Sequence, residues 1–213
     1  MTKEKEYNKS LTTSMLTRQE VIDPKQFKLL TYSRPKDVCD GIESGKLGNM
    51  AGGFHFNLFG MKWNSSEHLY LCGEWSEEGE HSIEVQEYIR RMPSGTYAKR
   101  CTKAKYKNDV RSDFPTFRYH WMLWCVWQKC MLNKDFQTRL RNIPDDRVIV
   151  EIEKNDPVWA ACPDEQGVLR GGNAMGKILT ICKQCLESGT QPDIDTQLLN
   201  DAGIYILGNR IEF

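Results

Sequence analysis

The sequence of 213 residues lacks several features that would place it in a function class. Its 29 basic residues balance its 29 acidic residues, so no net charge directs it toward nucleic acid or an anionic membrane. No stretch reaches the ~20 apolar residues that a membrane helix needs. The opening residues, MTKEKEYNKSLTTS, contain no apolar core of the kind a secretory signal requires. We therefore expect a cytoplasmic protein that does not associate with a membrane.

Signatures of disulfide frameworks, metal sites and nucleotide cofactors are also missing. The chain has eight cysteines, which in a cytosolic protein of this size are expected to be free thiols. Its one CxxC, Cys182 to Cys185, lies in an apolar-periodic segment and has no second CxxC or His pair at zinc spacing. We interpret both as small core residues of one helix. With no standard phosphate-loop or dinucleotide fingerprint, the sequence predicts neither a metal nor a cofactor.

What the sequence does contain is a hydrophobic pattern that predicts an α+β fold, a predominantly helical single domain with a few short strands. Three domain regions are expected: a flexible N-terminal arm over residues 1–25, a catalytic domain over 26–188, and a C-terminal extension over 189–213. The extension should form a hairpin around Gly208-Asn209 that packs on the domain. Helices are predicted from Trp63, over 82–92, 114–132 and 173–187, and strands over 26–33 and 147–153.

Charge is unevenly placed along the chain. Residues 74–87 carry six glutamates and no lysine or arginine. Residues 89–111 carry eight lysines and arginines against one aspartate, Asp109. A basic run of this kind is usually a solvated face, but it could also line a site for a phosphate-bearing ligand.

The octapeptide WNSSEHLY, from Trp63, places a carboxylate beside a histidine at the start of a predicted helix. Asn64, followed three residues later by Glu67, predicts a capping box in which the side chains close the first amides of the helix. The alternative is that Glu67 is a catalytic group. The octapeptide by itself favours the cap.

Three further stretches contain residues suited to chemistry. Lys99 lies in a basic tetrapeptide, and Asp156 and Trp159 follow directly after the predicted strand 147–153. The purely structural interpretation is that Asp156 is a turn residue and Trp159 a core residue. The third stretch, RGGNAMGK, runs into a helix start, where free amides and the helix dipole favour an anion. Its simpler interpretation is Asn173 as a plain N-cap.

Taken in order, these stretches resemble the NADAR family, also called YbiA-like, over roughly residues 45–188. The matching residues are Leu47, Asn49, Trp63, Ser66, Glu67, His68, Ala98, Lys99, Trp121, Lys129, Glu151, Asp156, Trp159, Gly171, Asn173 and Gly176. The chain departs from the family pattern at Glu74, where a lysine is frequent, at Ala160, where a glycine is usual, and at 101–103, which replace L-G-R. These departures indicate a divergent branch.

The resemblance implies an enzyme that hydrolyses N-glycosidic bonds. Positive charge develops on the ribose when such a bond breaks, so a carboxylate near the anomeric carbon stabilises the transition state and can activate water. Either Glu67 or Asp156 could do this, and Lys99 could hold phosphate or form a Schiff base with ring-opened ribose. Substrate-binding roles are expected for Asn49, His68, Trp159 as a stacking face, Gly171, Gly172 and Asn173 as a phosphate seat, and Gly176. With this context Glu67 is interpreted as both cap and catalytic group.

Two branches of the family offer different substrates. One acts on ribosylamino-pyrimidine phosphates of riboflavin biosynthesis. The other removes ADP-ribose from guanine in DNA and serves as antitoxin to a DarT-type ADP-ribosyltransferase. The basic run and the extra tail favour the second branch, with ADP-ribosylated DNA and a cognate ADP-ribosyltransferase toxin as partners. A non-catalytic antitoxin that occludes its toxin is an alternative of another class.

Overall fold

The computed structural model describes residues 2–213. The described helices are α1 (Lys3–Ser10), α2 (Ser66–Cys72), α3 (Glu80–Arg90), α4 (Gly95–Tyr106), α5 (Phe114–Leu132), α6 (Lys134–Arg141), α7 (Ala174–Ser188) and α8 (Thr196–Ala202). The strands are β1 (Glu20–Ile22), β2 (Leu29–Tyr32), β3 (Phe56–Leu58), β4 (Met61–Trp63), β5 (Val148–Glu151), β6 (Ala161–Pro163), β7 (Leu169–Gly171), β8 (Tyr205–Ile206) and β9 (Asn209–Arg210). Three 3-10 turns lie at Thr13–Met15, Ser44–Leu47 and Gly73–Trp75.

The prediction of a helix-rich α+β fold is confirmed. Helix α5 has the predicted bounds, because Pro115 suits its first turn and apolar residues recur at helical spacing along it. Strands β2 and β5 fall inside the two predicted strands, and β8 and β9 form the hairpin expected around Gly208-Asn209. The sequence does not predict α4, α6 and α8, because all three are rich in polar residues and α6 and α8 are also short.

The prediction of a flexible arm over residues 1–25 is wrong for the described part of this segment, which is held to the rest of the protein by specific contacts. The Thr2 hydroxyl caps α1, and the buried Glu4 carboxylate accepts the backbone amide of Lys28. Strand β1 pairs antiparallel with β7, from Glu20 opposite Gly171 to Ile22 opposite Leu169. A helix cap, a buried carboxylate and a strand ladder hold this segment in place. None of these contacts requires an apolar stripe, so the hydrophobic pattern does not reveal them.

The chain divides into two compact units, and the first comprises the residues up to Gly48 together with Lys134–Asp193. A three-stranded antiparallel sheet has the order β1–β7–β6, and β2 pairs in parallel with β5. Helix α7 packs on β5. The buried core of this unit includes Ile22, Val148, Val150, Ala161 and Leu169.

The second unit comprises Asn49–Asn133 and Ile194–Phe213. Helix α2 is buried along its whole length and packs against α3, α4 and α5. The indole of Trp121 in α5 donates to the carbonyl of Tyr70 at 2.9 Å. A Cβ added at Gly73 would lie 2.2 Å from the same indole nitrogen, so glycine is required for this approach. The C-terminal end of α2 is thereby fixed in the interior of the unit.

None of the described helices combines the length and the apolar character needed to cross a membrane.

Candidate active site

The start of α2 is not closed by the predicted capping box. Ser65, with extended backbone, is the N-cap residue, and its side chain makes no capping hydrogen bond. The Asn64 amide donates instead to the carbonyl of Met92 at 3.4 Å. The Glu67 carboxylate accepts from the side chain of Asn49 rather than reaching back to the helix amides. The cap part of the interpretation of Glu67 is therefore wrong, which leaves its carboxylate available for chemistry.

Asn49 orients that carboxylate through several contacts. Its side-chain Nδ2 donates to Glu67 Oε2 at 2.5 Å, and its carbonyl accepts from the Glu67 amide at 3.3 Å. The Ser66 hydroxyl donates to the same carbonyl at 3.4 Å. The remaining polar atom, Asn49 Oδ1, is buried and has no hydrogen-bond partner within residues 2–213. The structure thus brings together two residues that the sequence predicted for the site and leaves a buried acceptor beside the carboxylate.

The environment of Glu67 changes its ionisation. The residue is 3% exposed. Burial raises the pKa of its carboxyl to about 7, because removal from water penalises the charged form. The positive charge of Lys99 opposes this rise, and the negative charge of Glu74 adds to it. Near neutral pH the carboxyl is present in both forms, so it can either donate or accept a proton.

Helix α4 supplies the lysine that acts on Glu67. Ser94 caps α4 by accepting the Tyr97 amide at 3.3 Å, and the helix begins at Gly95. A Cβ at Gly95 would lie 2.9 Å from the Met50 Cα and 3.0 Å from the Glu67 Cβ, so only glycine permits this close approach. Lys99 follows one helical turn later and lies on the same face as Gly95. The prediction that Lys99 and Glu67 belong together is consistent with this geometry.

A second acid–lysine pair lies beside the first and was not predicted. Glu74 is 3% exposed, and its Oε2 lies 2.7 Å from Lys103 Nζ in an ion pair without hydrogen-bond angles. The spacing could have revealed it, since Glu67 and Glu74 are seven residues apart and Lys99 and Lys103 are four apart. Residues at these spacings share a helix face.

His68 is engaged through both ring nitrogens. Nε2 lies 3.1 Å from the carbonyl of Met92, which can only accept, so Nε2 carries the proton. Nδ1 then accepts from the Ser65 hydroxyl at 2.8 Å. Burial lowers the pKa of His68, partly opposed by the bond to Met92, and favours this neutral form. His68 therefore braces the start of α2, and neither nitrogen is free for the substrate contact expected of it.

Asp156 and Trp159 lie in the first compact unit. Asp156 Oδ1 accepts the amides of Val158 at 3.2 Å and Trp159 at 2.9 Å. This is the turn geometry that aspartate commonly provides. Asp156 and Trp159 are both only partly buried. The structural role of Asp156 in a turn thus explains the contacts of its Oδ1. The catalytic role of Asp156 remains a prediction.

The amides expected to seat a phosphate are already used. The Gly172 amide donates to the carbonyl of Pro157 at 2.7 Å, and the Asn173 amide donates to that of Ala160 at 3.1 Å. The next two amides, of Ala174 and Met175, donate to the carbonyls of residues 158 and 159. The turn after β5 therefore covers the start of α7. Gly171 and Gly172 are needed here for close backbone approach, since a Cβ at either would lie under 3 Å from a carbonyl oxygen.

Asn173 and Gly176 join α7 to β5. Asn173 has left-handed backbone geometry with φ of 44°, and its side chain makes no N-cap bond. Its Oδ1 accepts the Glu151 amide at 3.1 Å, and its Nδ2 donates to the Ile149 carbonyl at 2.9 Å. A Cβ at Gly176 would lie 2.2 Å from that same carbonyl oxygen. The two motif residues therefore pack the helix onto the strand, and a plain N-cap is not formed.

Within residues 2–213 no group of three or more His, Cys, Asp or Glu side chains is arranged to hold a metal ion. The eight cysteines are free thiols, and Cys182 and Cys185 both lie on α7.

The fold is a helix-rich α+β architecture built of two compact units. That fold is similar to the one of the Escherichia coli protein YbiA, solved by NMR. The two structures align with a TM-score of 0.58 at 21% sequence identity, over 76% of this chain and 86% of YbiA. No protein-family model matches the sequence, and no curated protein matches it.

Proposed function

We propose that the chain is an N-glycosidase of the NADAR type that removes ADP-ribose from guanine bases in DNA, in the cytoplasm. The observation that carries this proposal is Glu67, a buried carboxyl with a pKa of about 7, which Asn49 orients and on which the charge of Lys99 acts. The likeness to YbiA supports the fold, and the ordered motifs of the sequence support the reaction class.

The reaction is a substitution at the anomeric carbon of ribose. Water attacks that carbon as the bond to the exocyclic nitrogen of guanine breaks, and the bonding electrons return to the nitrogen. The ionised Glu67 accepts the proton of the attacking water and stabilises the positive charge on the ribose. The proton then passes to the departing nitrogen, so the carboxyl returns to its starting form. Asp156 is the second candidate for the carboxylate role.

Lys99 has two roles that the proposal keeps separate. Its ammonium can pair with a substrate phosphate. Its amine can instead add to the imine carbon that joins ring-opened ribose to guanine. The guanine amine then leaves, and the resulting Schiff base between ribose and Lys99 is hydrolysed by water to free ADP-ribose and the lysine amine. Borohydride trapping distinguishes them: only the covalent route leaves ribose attached to Lys99 after reduction.

DNA is favoured as the substrate carrier because α4 has basic residues and no acidic ones. Two of its basic groups are committed within the protein, since Lys103 pairs with Glu74 and the Lys105 ammonium lies over the rings of Tyr88 and Tyr106. The better candidates for contact with the DNA backbone are the exposed Lys107, just after α4, and the exposed Arg100. The Arg100 guanidinium lies over the ring of Tyr97, but that ring is itself exposed. Replacing Arg100 and Lys107 by Ala should lower the slope of log affinity against log salt by about 0.7–0.9 per lost phosphate contact.

The direct test is to incubate the purified protein with DNA carrying ADP-ribosylated guanine and to measure release of ADP-ribose. A parallel reaction contains ribosylamino-pyrimidine phosphate. Release from DNA with little turnover of the pyrimidine is expected. The reverse preference would assign the chain to the riboflavin-pathway substrate class instead.

The proposed biological role is that of antitoxin to a DarT-type ADP-ribosyltransferase. Co-expression with such a toxin separates an enzyme from a protein that merely occludes its partner. An enzyme should lose protection when Glu67 is replaced by Gln, whereas an occluding protein should keep it. Retained protection by the folded variant would favour the binding alternative.

A further inference from the structure

Two rows of charge face each other in the second unit. Glu67 and Glu74 are seven residues apart along α2 and the 3-10 turn that continues it, so they lie about two turns apart on one face. Lys99 and Lys103 are one turn apart on α4, and α4 packs against α2. Both carboxylates are buried, whereas the Lys103 side chain is 44% exposed.

The pair formed by Glu74 and Lys103 has no role in the chemistry proposed for Glu67 and Lys99. Lys103 Nζ lies 2.7 Å from Glu74 Oε2. The carbonyl of Glu74 accepts the backbone amide of Arg111 at 3.0 Å, which fixes the 3-10 turn. Among residues 2–213 Lys103 is the cation in contact with the buried Glu74 carboxylate. Loss of this contact would let the charge of Glu74 act on its neighbours without compensation.

We propose that Glu74 and Lys103 form a positioning pair for Glu67: Lys103 neutralises the Glu74 charge, so that the charge of Lys99 acts on the reacting carboxyl without competition from Glu74. The inference rests on the proposed role of Glu67. It also gives a role to one departure from the family pattern, the acid at position 74.

The electrostatic surroundings of Glu67 are consistent with this arrangement. Burial is the largest effect and raises the pKa of Glu67, after which Lys99 lowers it, Glu74 raises it and Lys103 lowers it. The other facing titratable groups are Tyr70 of α2 and the Cys125 thiol of α5. Burial raises the pKa of each well above its ordinary value, so both are neutral at pH 7. The pair can therefore be removed as a unit without changing the net charge around Glu67.

The test is a double-mutant cycle with Glu74→Gln, Lys103→Gln and the double variant. Glu74→Gln should lower the pKa of Glu67, Lys103→Gln should raise it, and the double variant should return it close to the wild-type value. A unit charge about two helical turns away corresponds to a shift of roughly half to one pH unit. Lys105→Gln is the matched control, since it removes a lysine of the same helix that lies over tyrosine rings, and it should shift nothing.

Two readouts separate this inference from the proposed function. Carboxyl carbon NMR of labelled glutamate, with the Glu67 signal assigned through Glu67→Gln, reports proton affinity without a substrate. The pH dependence of turnover reports the same group during catalysis. Opposite shifts that cancel in the double variant support the positioning pair, and unchanged NMR titrations would overturn it and leave an ion pair that only joins α4 to α2. Shifts seen by NMR but not in turnover would instead overturn the role of Glu67. If Lys103→Gln does not fold, Glu74→Gln and the double variant still decide, because neither leaves a buried charge unpaired.

Discussion

Replacement of Glu67 by Gln should separate stability from catalysis in a pH-dependent way. The amide is nearly isosteric with the carboxyl and can still accept the hydrogen bond that Asn49 Nδ2 donates. It cannot ionise, so it cannot accept a proton from water or stabilise a ribosyl cation. General acid–base help is typically worth ~10²–10⁴ in rate, so turnover should fall by at least about a hundredfold.

The stability change follows from the raised pKa of Glu67. Between pH 4.5 and about 7 the folded wild-type protein keeps a proton on Glu67 that the unfolded chain has released. The free energy of unfolding of the wild type therefore falls as pH rises through this window, by a total of about 3 kcal/mol from this one group. Gln has no proton to lose and lacks this dependence. The variant should match the wild type near pH 4.5 and exceed it by about 3 kcal/mol at pH 8.

Urea unfolding of both proteins at several pH values between 4.5 and 8 measures this difference. For a chain of this size the gain at pH 8 corresponds to a rise in Tm of roughly 6–12 °C. Glu77→Gln, which alters an exposed carboxyl of the same acidic run, is the control and should change stability little. A stability difference that does not vary with pH would refute the reasoning from burial. A variant with near-normal turnover would move the carboxylate role to Asp156.

Three further outcomes are expected. Gly95→Ala should destabilise the protein by about 1–3 kcal/mol and lower turnover, because the added Cβ would press on the Cβ of Glu67. Gly52→Ala is the control and should change neither stability nor turnover, because its Cβ would meet nothing within 4 Å. Lys177→Met should lower the free energy of unfolding by about 3 kcal/mol and speed tryptic cleavage after Arg18. The reason is that the buried ammonium donates to the carbonyl of Arg18 at 2.7 Å and lies 3.4 Å from the Glu20 carboxylate. Unchanged cleavage would contradict this. Activity on ADP-ribosylated DNA should survive exhaustive chelation, and a loss restored by a divalent ion would refute metal-free catalysis.

Long periodic segments were predictable from the sequence, and short polar ones were not. Helix α5 could be placed because its apolar residues and Pro115 act locally. Helix α1 is held by a hydrogen bond that the Glu4 carboxylate accepts from the backbone amide of Lys28. No local sequence pattern encodes this contact. The order of the motifs predicts Glu67 and Lys99 as residues of one site.

The sequence failed where a side chain had two plausible partners. Glu67 at the third position after Asn64 fits a capping box equally well, and only the fold reveals that Asn49 takes the contact. The glycines before α7 fit an anion site equally well. Their amides are used by the preceding turn, whose path depends on the packing of β5 and α7.

The parallel pairing of β2 with β5 has a consequence for the order in which the protein folds. Leu29 lies opposite Val148, so the ladder joins segments separated by roughly 115 residues. Closing a flexible loop of that length costs about 2 kcal/mol more than closing one of ten residues. The cost falls if residues 49–133 are already compact, because an ordered insert shortens the effective loop. On the ribosome β2 must also wait until Glu151 has been synthesised. Residues 49–133 are therefore expected to gain structure before the strand ladder of the first unit forms.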